Sequence, residues 1–455
     1  MGLVVILWQR PARIALGTFA VAFAVIVSFG ARDRTPSVVA ETVARTDRTA
    51  IIESREAQIV QREKRSDNLK IQADRQLGYE DGSVKLLGNV AIEFADGLLV
   101  AAEEAVYENG GDVVTIPAGT HDITRGLSLN VSGVTIRGQG MDRSILSFKN
   151  QVQGAEGLLV SASDFTIEDL AIEDTRGDAL KINEGNDIVI RRVRTEWTNG
   201  PDEENGAYGI YPVQTENVLL EDSVAIGASD AGIYVGQSIN VIVRNNRVEY
   251  NVAGIEIENT VNVDVYGNTA INNTGGILVF DMPDLPQSGH STRVFENTIS
   301  NNNTGNFGAE GTPVASVPAG SGVVINSGDR VEIFDNNIAD NSTANIIVSS
   351  YYATGYQGQY ELADNYDPYP ETIFIHGNRF SGGGDSPDGL DLQALRIAVF
   401  GIGGRFPDIL WDGYANEDKV AVDGRLKPEY RICVDNGDVE VLNVDLPNDS
   451  ASVTV

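Results

Sequence analysis

Apolar and polar residues alternate in rows from Phe165 to Ser300, and the rows recur at a nearly constant interval. Val218, Val241 and Val263 each begin a row, and they stand 23 and 22 residues apart. Alternation with a period of two indicates strands, and Gly and Asn stand at the joins between them. Each row holds three short strands, the third of the form Gly-Ile-x-Val. The pattern predicts a right-handed parallel β-helix, an all-β fold whose rows stack about 4.8 Å apart.

One column of the repeat consists of the residues before each second strand. Asn tolerates left-handed backbone angles, and stacked Asn amides can hydrogen-bond along a ladder. We therefore expect a structural role for this column, without chemistry. Its members are Asp169, Arg192, Asp222, Asn246, Asn268, Asn297, Asn336 and Asn378.

The third strands define a candidate binding face. Aligning them places Leu180, Ile210, Ile233, Ile255 and Ile277 inside the coil. Strand alternation then turns the neighbouring residues outward. The outward residues are Lys181, Tyr211, Tyr234, Glu256 and Leu278, followed two positions on by Asn183, Val213, Gly236, Glu258 and Phe280. The turn beyond carries Glu184, Gln214, Gln237, Asn259 and Asp281.

Candidate catalytic residues on this face fit two reactions. A sugar hydrolase needs two carboxylates about 5–10 Å apart, and the Cα atoms of Glu256 and Glu258 should lie about 6.5–7 Å apart on one strand. A polysaccharide lyase or epimerase needs a base and a cation, roles open to Lys181 or a tyrosine, with His290 as a loop-borne acid or base. The alternative is a solvated face without chemistry.

Candidate substrate-binding residues lie beside them. Tyr211 and Tyr234 occupy one position in successive rows, so their rings should lie about 5 Å apart as a platform for a sugar ring. Gln214 and Gln237 offer hydrogen bonds to hydroxyls, and Asp281 lies one rung on. No residues are predicted to hold a metal on this face.

Four insertions interrupt the rows. Two of them are expected to flank the face that carries Tyr211, Tyr234 and Glu256, and a groove between those two is the expected site. Residues 199–207 and 304–321 lie between second and third strands, whereas residues 281–291 and 351–370 follow third strands. The last insertion has six tyrosines in 20 residues. Such a cluster suits sugar stacking, any binding surface, or packing on its own rung.

Net charge limits the classes of partner that the protein can bind, and cysteine content limits its disulfide bonds. The 455 residues carry a formal net charge of −32, and such a surface repels phosphate backbones, which argues against nucleic acid. The single cysteine, Cys433, excludes an internal disulfide framework. No cofactor is indicated with certainty. Asp385, Asp388 and Asp391 are candidate Ca²⁺ ligands, although their spacing matches no defined site.

The amino-terminal residues predict export. Arg10 and Arg13 precede the 17 uncharged residues 14–30, a length between a signal peptide and a full membrane span. We expect residues 1–30 to be a signal peptide or an inner-membrane anchor, which places the rest in the periplasm or outer envelope. Residues 31–97 are read as a charged spacer followed by a short β segment.

Within that segment, Asp74-Arg75, Tyr79 and the run from Lys85 to Val90 resemble periplasmic lipopolysaccharide-transport proteins of the LptC/OstA type. The resemblance covers 60–70 residues and carries no catalytic motif. It implies a curled β-sheet that passes lipid along. Residues 98–107 share an apolar helical face and are expected to form a capping helix, with one more strand of the upstream sheet as the alternative.

A broader resemblance follows. Pro117 to Gly119 and Gly138 to Gly140 are similar to the first turns of pectate-lyase-like β-helices. The rows from Gly110 to Gly383, with residues 407–413 and 431–437, resemble a family of exported bacterial parallel β-helix repeat proteins whose role is not established. That family lies within a superfamily of carbohydrate-binding proteins and sugar hydrolases, lyases and epimerases.

The family resemblance implies a polysaccharide or glycoconjugate ligand and a partner protein containing a c-type cytochrome. The signatures of polygalacturonases and alginate epimerases are absent from the sequence, so enzyme activity is left open. An envelope scaffold or a lipopolysaccharide-transport bridge is the alternative function. The expected domains are a β-helix with its cap over residues 98–383 and a carboxy-terminal β extension over residues 384–455, with strands in residues 394–404 and 438–446.

Overall fold

A computed structural model describes residues 69–72, 75–78, 84–94, 99–108, 112–354 and 362–455, and it describes side chains from Val113 onward. The predicted targeting segment and most of the spacer lie outside these residues. Among the described residues, none of the helices is long and apolar enough to cross a membrane.

An antiparallel sheet precedes the coil. Its strands are β1 Leu69–Gln72, β2 Arg75–Gly78, β3 Val84–Phe94 and β4 Leu99–Glu108. The predicted capping helix is therefore wrong, and the alternative of a further strand is confirmed. Strand β4 pairs with β3 and also, antiparallel, with β5 Asp112–Thr115 of the first rung. Backbone hydrogen bonds from this strand cover the open edge, a task that a helix would perform only by packing.

The rest of the strands form a right-handed parallel β-helix with three sheets. Sheet 1 contains β5, β8 Val134–Arg137, β11 Phe165–Glu173, β12 Leu180–Glu196, β13 Tyr208–Glu221, β16 Ile239–Arg244, β19 Val261–Tyr266, β22 His290–Phe295, β25 Asp329–Phe334, β28 Glu371–His376 and β31 Ile432–Asp435. Sheet 2 contains β6 Gly119–Asp122, β9 Ser144–Ser147, parts of β11 and β12, β14 Val224–Ile226, β17 Arg247–Glu249, β20 Thr269–Ile271, β23 Thr298–Ser300, β26 Asn337–Ala339 and β29 Arg379–Ser381. Sheet 3 contains β7 Arg125–Leu129, β10 Gln153–Val160, parts of β12 and β13, β15 Ala231–Gly236, β18 Ala253–Glu258, β21 Gly275–Phe280, β24 Ser321–Asn326, β27 Ala344–Ser349, β30 Ile409–Trp411 and β32 Val441–Asn443.

The core is the stack of inward side chains predicted from the repeat. Ile210 pairs in register with Ile233, Ile233 with Ile255, and Ile255 with Ile277. All four are fully buried. Each rung buries its apolar side chains only against the rungs above and below, so the core is continuous along the axis.

Asparagine ladders hold both ends of sheet 2. In the predicted ladder, Nδ2 of Asn246 donates to Oδ1 of Asn268 at 3.0 Å, and the same contact continues through Asn297, Asn336 and Asn378. The column needs one correction in its early rows. Asp222 aligns with the left-handed residue Asn245, and the residue in register with Asn246 is Ser223.

A second ladder, which the sequence interpretation missed, runs along the other end of sheet 2. Nδ2 of Asn251 donates to Oδ1 of Asn273 at 3.0 Å, and the ladder continues through Asn302 and Asn341. The glycine of the third-strand pattern makes room for it. A Cβ atom on Gly232 would lie 2.6 Å from Nδ2 of Asn251, closer than real contacts allow. The pattern of Asn three residues before Gly is its signal in the sequence.

The carboxy-terminal segment is not entirely β. Strand β32 confirms the second predicted strand, but the first prediction is wrong because residues 390–400 form helix α1, Leu390–Phe400. Leu392, Leu395 and Phe400 pack against an apolar cluster beside the last rungs, and helical spacing is what brings them to one side. Short 3₁₀ helices span Pro313–Ser316, Tyr351–Ala353, Glu417–Lys419, Pro428–Tyr430 and Leu446–Asn448.

The first ladder can be tested with two adjacent asparagines. Asn336 is 1% exposed and makes ladder hydrogen bonds on both sides, whereas the neighbouring Asn337 is exposed. Replacing Asn336 by Ala leaves buried donors and acceptors unpaired, so we expect a loss of roughly 2–4 kcal/mol of unfolding free energy in urea titrations. Asn337→Ala should change it by less than about 0.5 kcal/mol. Equal effects would contradict a stabilising ladder.

Candidate functional site

Three tyrosines cluster on the outer face of sheet 3. Tyr208 and Tyr211 come from β13 and Tyr234 from β15, and their ring centroids lie 4.5 to 4.9 Å apart. The Tyr211–Tyr234 distance of 4.9 Å agrees with the spacing expected from the repeat, but the two planes meet at 89°. Tyr234 is only 5% exposed. The two rings therefore do not form the open, flat platform that was predicted.

Tyr234 lies along its own strand, and a glycine allows this. A Cβ atom on Gly236 would lie 2.3 Å from Cε1 of Tyr234. With that space free, the Tyr234 hydroxyl reaches the next rung and donates to Oε2 of Glu258 at 2.6 Å. Gln237 Nε2 donates to the same hydroxyl at 3.2 Å. The phenol is thus fixed between an amide and a carboxylate.

Lys181 forms the more exposed end of the cluster. Its Nζ atom lies 4.6 Å from the centroid of the Tyr211 ring and 3.5 Å from Oδ2 of Asp178. The Lys181 side chain is 24% exposed, and Tyr211 is half-buried. Burial, with a smaller contribution from Asp178, raises the pKa of Tyr211 to about 12. A cation and an aromatic ring therefore face solvent side by side.

Two carboxyl groups lie beneath the tyrosines. Asp230 stands directly before β15, and Glu256 lies in register with Tyr234 on the next rung. They are 7% and 2% exposed, and they lie close enough for the charge of Asp230 to act on Glu256. Among the described residues, Oε2 of Glu256 and Oδ1 of Asp230 have no hydrogen-bond partner. Buried polar atoms without partners are uncommon in proteins and favour a functional role.

Burial controls the ionisation of the three carboxyl groups in this cluster. It raises the pKa of Glu256 well above its ordinary value, and the nearby charges of Asp230 and Glu258 raise it further. Burial also raises the pKa of Asp230, again with the charge of Glu258. For Glu258, burial raises the pKa while the hydrogen bond from Tyr234 lowers it. The site therefore holds at least one protonated carboxyl group near neutral pH.

The insertions explain this burial. Residues of the insertions over 281–291 and 304–321, and of the described part of 351–370, pack on the outer face of sheet 3 and form an apolar cluster with it. Glu256 points outward from the coil as predicted, but it is not solvated, so the alternative of an exposed polar face does not hold for it. The cluster contains Ala231, Tyr234, Val252, Ala253, Leu278, Phe280, Met282, Val314, Val317, Val324 and Tyr351.

The described tyrosines of the 351–370 insertion pack against the coil and reach beyond their own rung. Tyr351 is 1% exposed, and its ring meets that of Tyr366 edge-on at 5.9 Å. The Tyr366 hydroxyl donates to the backbone oxygen of Asp281 at 2.8 Å. Of the interpretations considered for this insertion, packing fits its described tyrosines best.

Other predicted residues lie apart from the cluster. His290 begins β22 in sheet 1, where a ring nitrogen lies 3.0 Å from the Ser291 hydroxyl, so it is not placed beside Glu256. Asp281 accepts a hydrogen bond from the Gly289 amide at 2.6 Å, and burial raises its pKa to about 7. Gln214 is exposed in a left-handed turn.

The sequence interpretation missed three members of the cluster: Asp178, Tyr208 and Asp230. They stand just before or at the start of third strands, where the alternating pattern was not applied. A signal existed, because an aspartate precedes the third strand in both the Asp178 and the Asp230 rows. The roles predicted for Lys181, Glu256, Glu258, Tyr211, Tyr234 and Gln237 stay predictions, although the structure brings these residues into one cluster.

Two further features lie outside the tyrosine cluster. A pocket of about 120 Å³ with mostly apolar walls lies farther along the same face, between residues such as Phe280, Leu395 and Trp411. Among the described residues, acidic side chains come close enough to hold a metal ion at Asp329, Asp367 and Glu371. The predicted Ca²⁺ ligands around Asp385 are not part of that group.

Comparisons with known proteins identify the fold. The family described as the right handed beta helix region matches residues 126–284, which include the tyrosine cluster. The A-module of the Azotobacter vinelandii mannuronan C-5 epimerase AlgE4 is 18% identical, with a TM-score of 0.44, over 73% of this chain and 87% of that chain.

Two other solved structures are also similar to this chain. A polygalacturonase from Erwinia carotovora is 11% identical over 58% of this chain and 72% of its own, with a TM-score of 0.37. The enzymatically active domain of tailspike protein 2 of bacteriophage CBA120 is 10% identical over 78% of this chain and 55% of its own, with a TM-score of 0.41. No curated protein matches the sequence.

The buried carboxyl pair predicts an unusual pH dependence. Because the folded-state pKa of Glu256 is raised, its contribution to stability is present below its ordinary pKa of 4.5 and is lost as the pH rises through the folded value. Glu256→Gln is neutral at every pH and should raise the melting temperature at pH 8 more than at pH 4. Calorimetry of the wild type and variant checks this.

The exposed Glu203 in the insertion over residues 199–207 provides a matched control. Glu203→Gln should leave the melting temperature unchanged at both pH values. If Glu256→Gln instead lowered it equally at pH 4 and pH 8, the side chain would be required as a hydrogen-bonded anion.

Proposed function

We propose that the protein binds a polysaccharide or glycoconjugate at the tyrosine–carboxyl cluster of sheet 3 and hydrolyses it by acid catalysis. One observation carries this proposal. The buried pair of Asp230 and Glu256 retains two oxygen atoms without hydrogen-bond partners, directly beneath tyrosine rings. A fold stabilised by this pair alone would satisfy those atoms, so we infer that they meet a ligand.

The exposed part of the cluster suits a sugar. The half-buried ring of Tyr211 offers an aromatic edge and a hydroxyl to a ring that is apolar on its C–H face and polar at its rim. Lys181 can pair with a carboxylate or sulfate substituent, which would offset the repulsion from a chain with a net charge of −32. Gln237, whose amide already contacts the Tyr234 hydroxyl, can also reach a sugar hydroxyl.

The pKa shifts favour hydrolysis over a lyase or epimerase reaction. Burial raises the pKa of Tyr211 to about 12 and that of Tyr234 well above its ordinary value. Both phenols are therefore poor bases at neutral pH. A protonated carboxyl group in the Asp230–Glu256 pair can instead donate a proton to a glycosidic oxygen. Glu258, held by Tyr234, supplies the second carboxyl group that this reaction needs.

The alternative function is an envelope scaffold or lipopolysaccharide-transport bridge. The observation that favours it is the antiparallel sheet β1–β4, which continues into the β-helix through the β4–β5 pairing. In both proposals the protein is exported, either periplasmic or in the outer envelope, with residues 14–30 as an anchor. A partner containing a c-type cytochrome remains part of this proposal.

Glycan binding can be tested by replacing the half-buried Tyr211. Tyr211→Ala removes the ring at the solvent edge, so full-length protein carrying it should bind its tightest ligand on a glycan array at least about tenfold more weakly. The matched control is Tyr250→Ala, since Tyr250 is 43% exposed in the turn after β17 of sheet 2 and is not part of the tyrosine cluster. Unchanged binding in Tyr211→Ala with an intact circular dichroism spectrum would place the site elsewhere.

Catalysis requires a separate measurement. Glu258→Gln keeps the shape of the side chain but removes its charge, and we expect product formation from the bound glycan to fall at least about 100-fold while affinity changes less than about threefold. Chromatography of the products and isothermal titration give the two values. If the wild type binds a glycan but never alters it, the protein is a binding protein.

A further inference from the structure

A second group of charged residues lies at the corner between sheets 3 and 1, several rungs from the tyrosine cluster. Asp329 begins β25 and Glu371 begins β28, and the two are directly in register on neighbouring rungs. Asp367 comes from the insertion that precedes β28. Two carboxylates stacked in register repel each other, so this corner needs a positive charge.

One positive charge comes from the protein itself. Lys419, in the carboxy-terminal segment, places Nζ 2.5 Å from Oδ2 of Asp367 and 2.6 Å from Oε2 of Glu371. The charge of Arg330 also acts on Asp329, so three carboxylates and two cationic side chains leave a net charge of −1 when all are ionised. The cations of the protein therefore do not balance the corner, and its negative charge favours a bound cation.

The remaining oxygen atoms are available for such a cation. The Glu371 side chain is only 3% exposed, yet its Oε1 atom makes no hydrogen bond to the described part of the chain, and neither does Oδ1 of Asp329. A buried carboxylate oxygen without a partner is costly unless a ligand meets it. This observation is independent of the number of acidic residues at the corner.

The spacing of the oxygens fits calcium. One oxygen from each of Asp329, Asp367 and Glu371 lies within 4.8 Å of the other two. Ca²⁺ binds oxygen ligands at about 2.3–2.6 Å, so ligands on opposite sides of the ion lie at most about 5 Å apart. Its coordination is flexible, which suits ligands from three separate segments better than the strict octahedron of Mg²⁺.

We propose that Asp329, Asp367 and Glu371 form a Ca²⁺ site that ties the 351–370 insertion and the Lys419 segment to the β-helix. The ion bridges two successive rungs and the chain between them, while Lys419 remains paired to the outer oxygens. This site is separate from the proposed glycan site, so either proposal can fail without the other.

Calorimetric titration of the full-length, chelator-treated protein with CaCl₂ tests the site. We expect one Ca²⁺ per chain with a dissociation constant below about 1 mM, and a melting temperature that rises with Ca²⁺ concentration. Glu371→Gln and Asp329→Asn should each weaken binding at least about tenfold. Because Glu371 is buried, the partly exposed Asp367→Asn serves as a further variant if Glu371→Gln fails to fold.

The exposed aspartates of the 385–391 loop provide the matched control. Asp385→Asn with Asp391→Asn should leave Ca²⁺ binding unchanged. Loss of binding in this control, with binding kept in Glu371→Gln, would overturn the proposal. Absence of binding to the wild type up to about 10 mM Ca²⁺ would also overturn the proposal. If Lys419→Met alone bound Ca²⁺, Lys419 would be the resident cation of the corner, and the proposal would still be overturned.

Discussion

Hydrogen bonding from one rung to the next is the interaction on which the whole molecule depends. Strand backbones pair along three sheets, but the corners have no strand partners of their own. Two asparagine ladders meet this need at sheet 2, since each amide bonds the next asparagine and the backbone. The ladders fix the register between successive rungs, and they continue across the insertions, where neighbouring ladder residues stand up to 42 residues apart instead of 22.

That constraint decides where variation can occur. The insertions leave the coil only between strands, and they return to the same register. Once outside, their apolar residues must be covered, and the outer face of sheet 3 is the surface they meet. The candidate site follows from this packing. Asp230 and Glu256 would be solvated on a β-helix without insertions, but here they form a buried carboxyl pair. Burying them lowers the stability of the fold.

The same physical logic links the two acidic groups. Asp329 and Glu371 are stacked in register on neighbouring rungs, whereas Glu256 is in register with Tyr234 and meets Asp230 from the next rung. In both groups, burial makes full ionisation unfavourable. At Asp230 and Glu256 the charge is reduced by protonation, because burial raises the pKa of both groups. At Glu371 it is reduced by Lys419. The Asp230–Glu256 pair therefore keeps a proton that it can donate, whereas the corner at Asp329 and Glu371 keeps a site for a cation.

The sequence by itself determined the coil, because its period, its inward isoleucines and its Asn and Gly positions are local patterns that report rung geometry directly. It also placed Tyr211 and Tyr234 at the right separation, since register fixes Cα positions. It did not determine ring orientation, the burial of Glu256 or the helix at residues 390–400. Those depend on contacts between residues far apart in the chain, such as insertions folding over sheet 3, and no local periodicity records them.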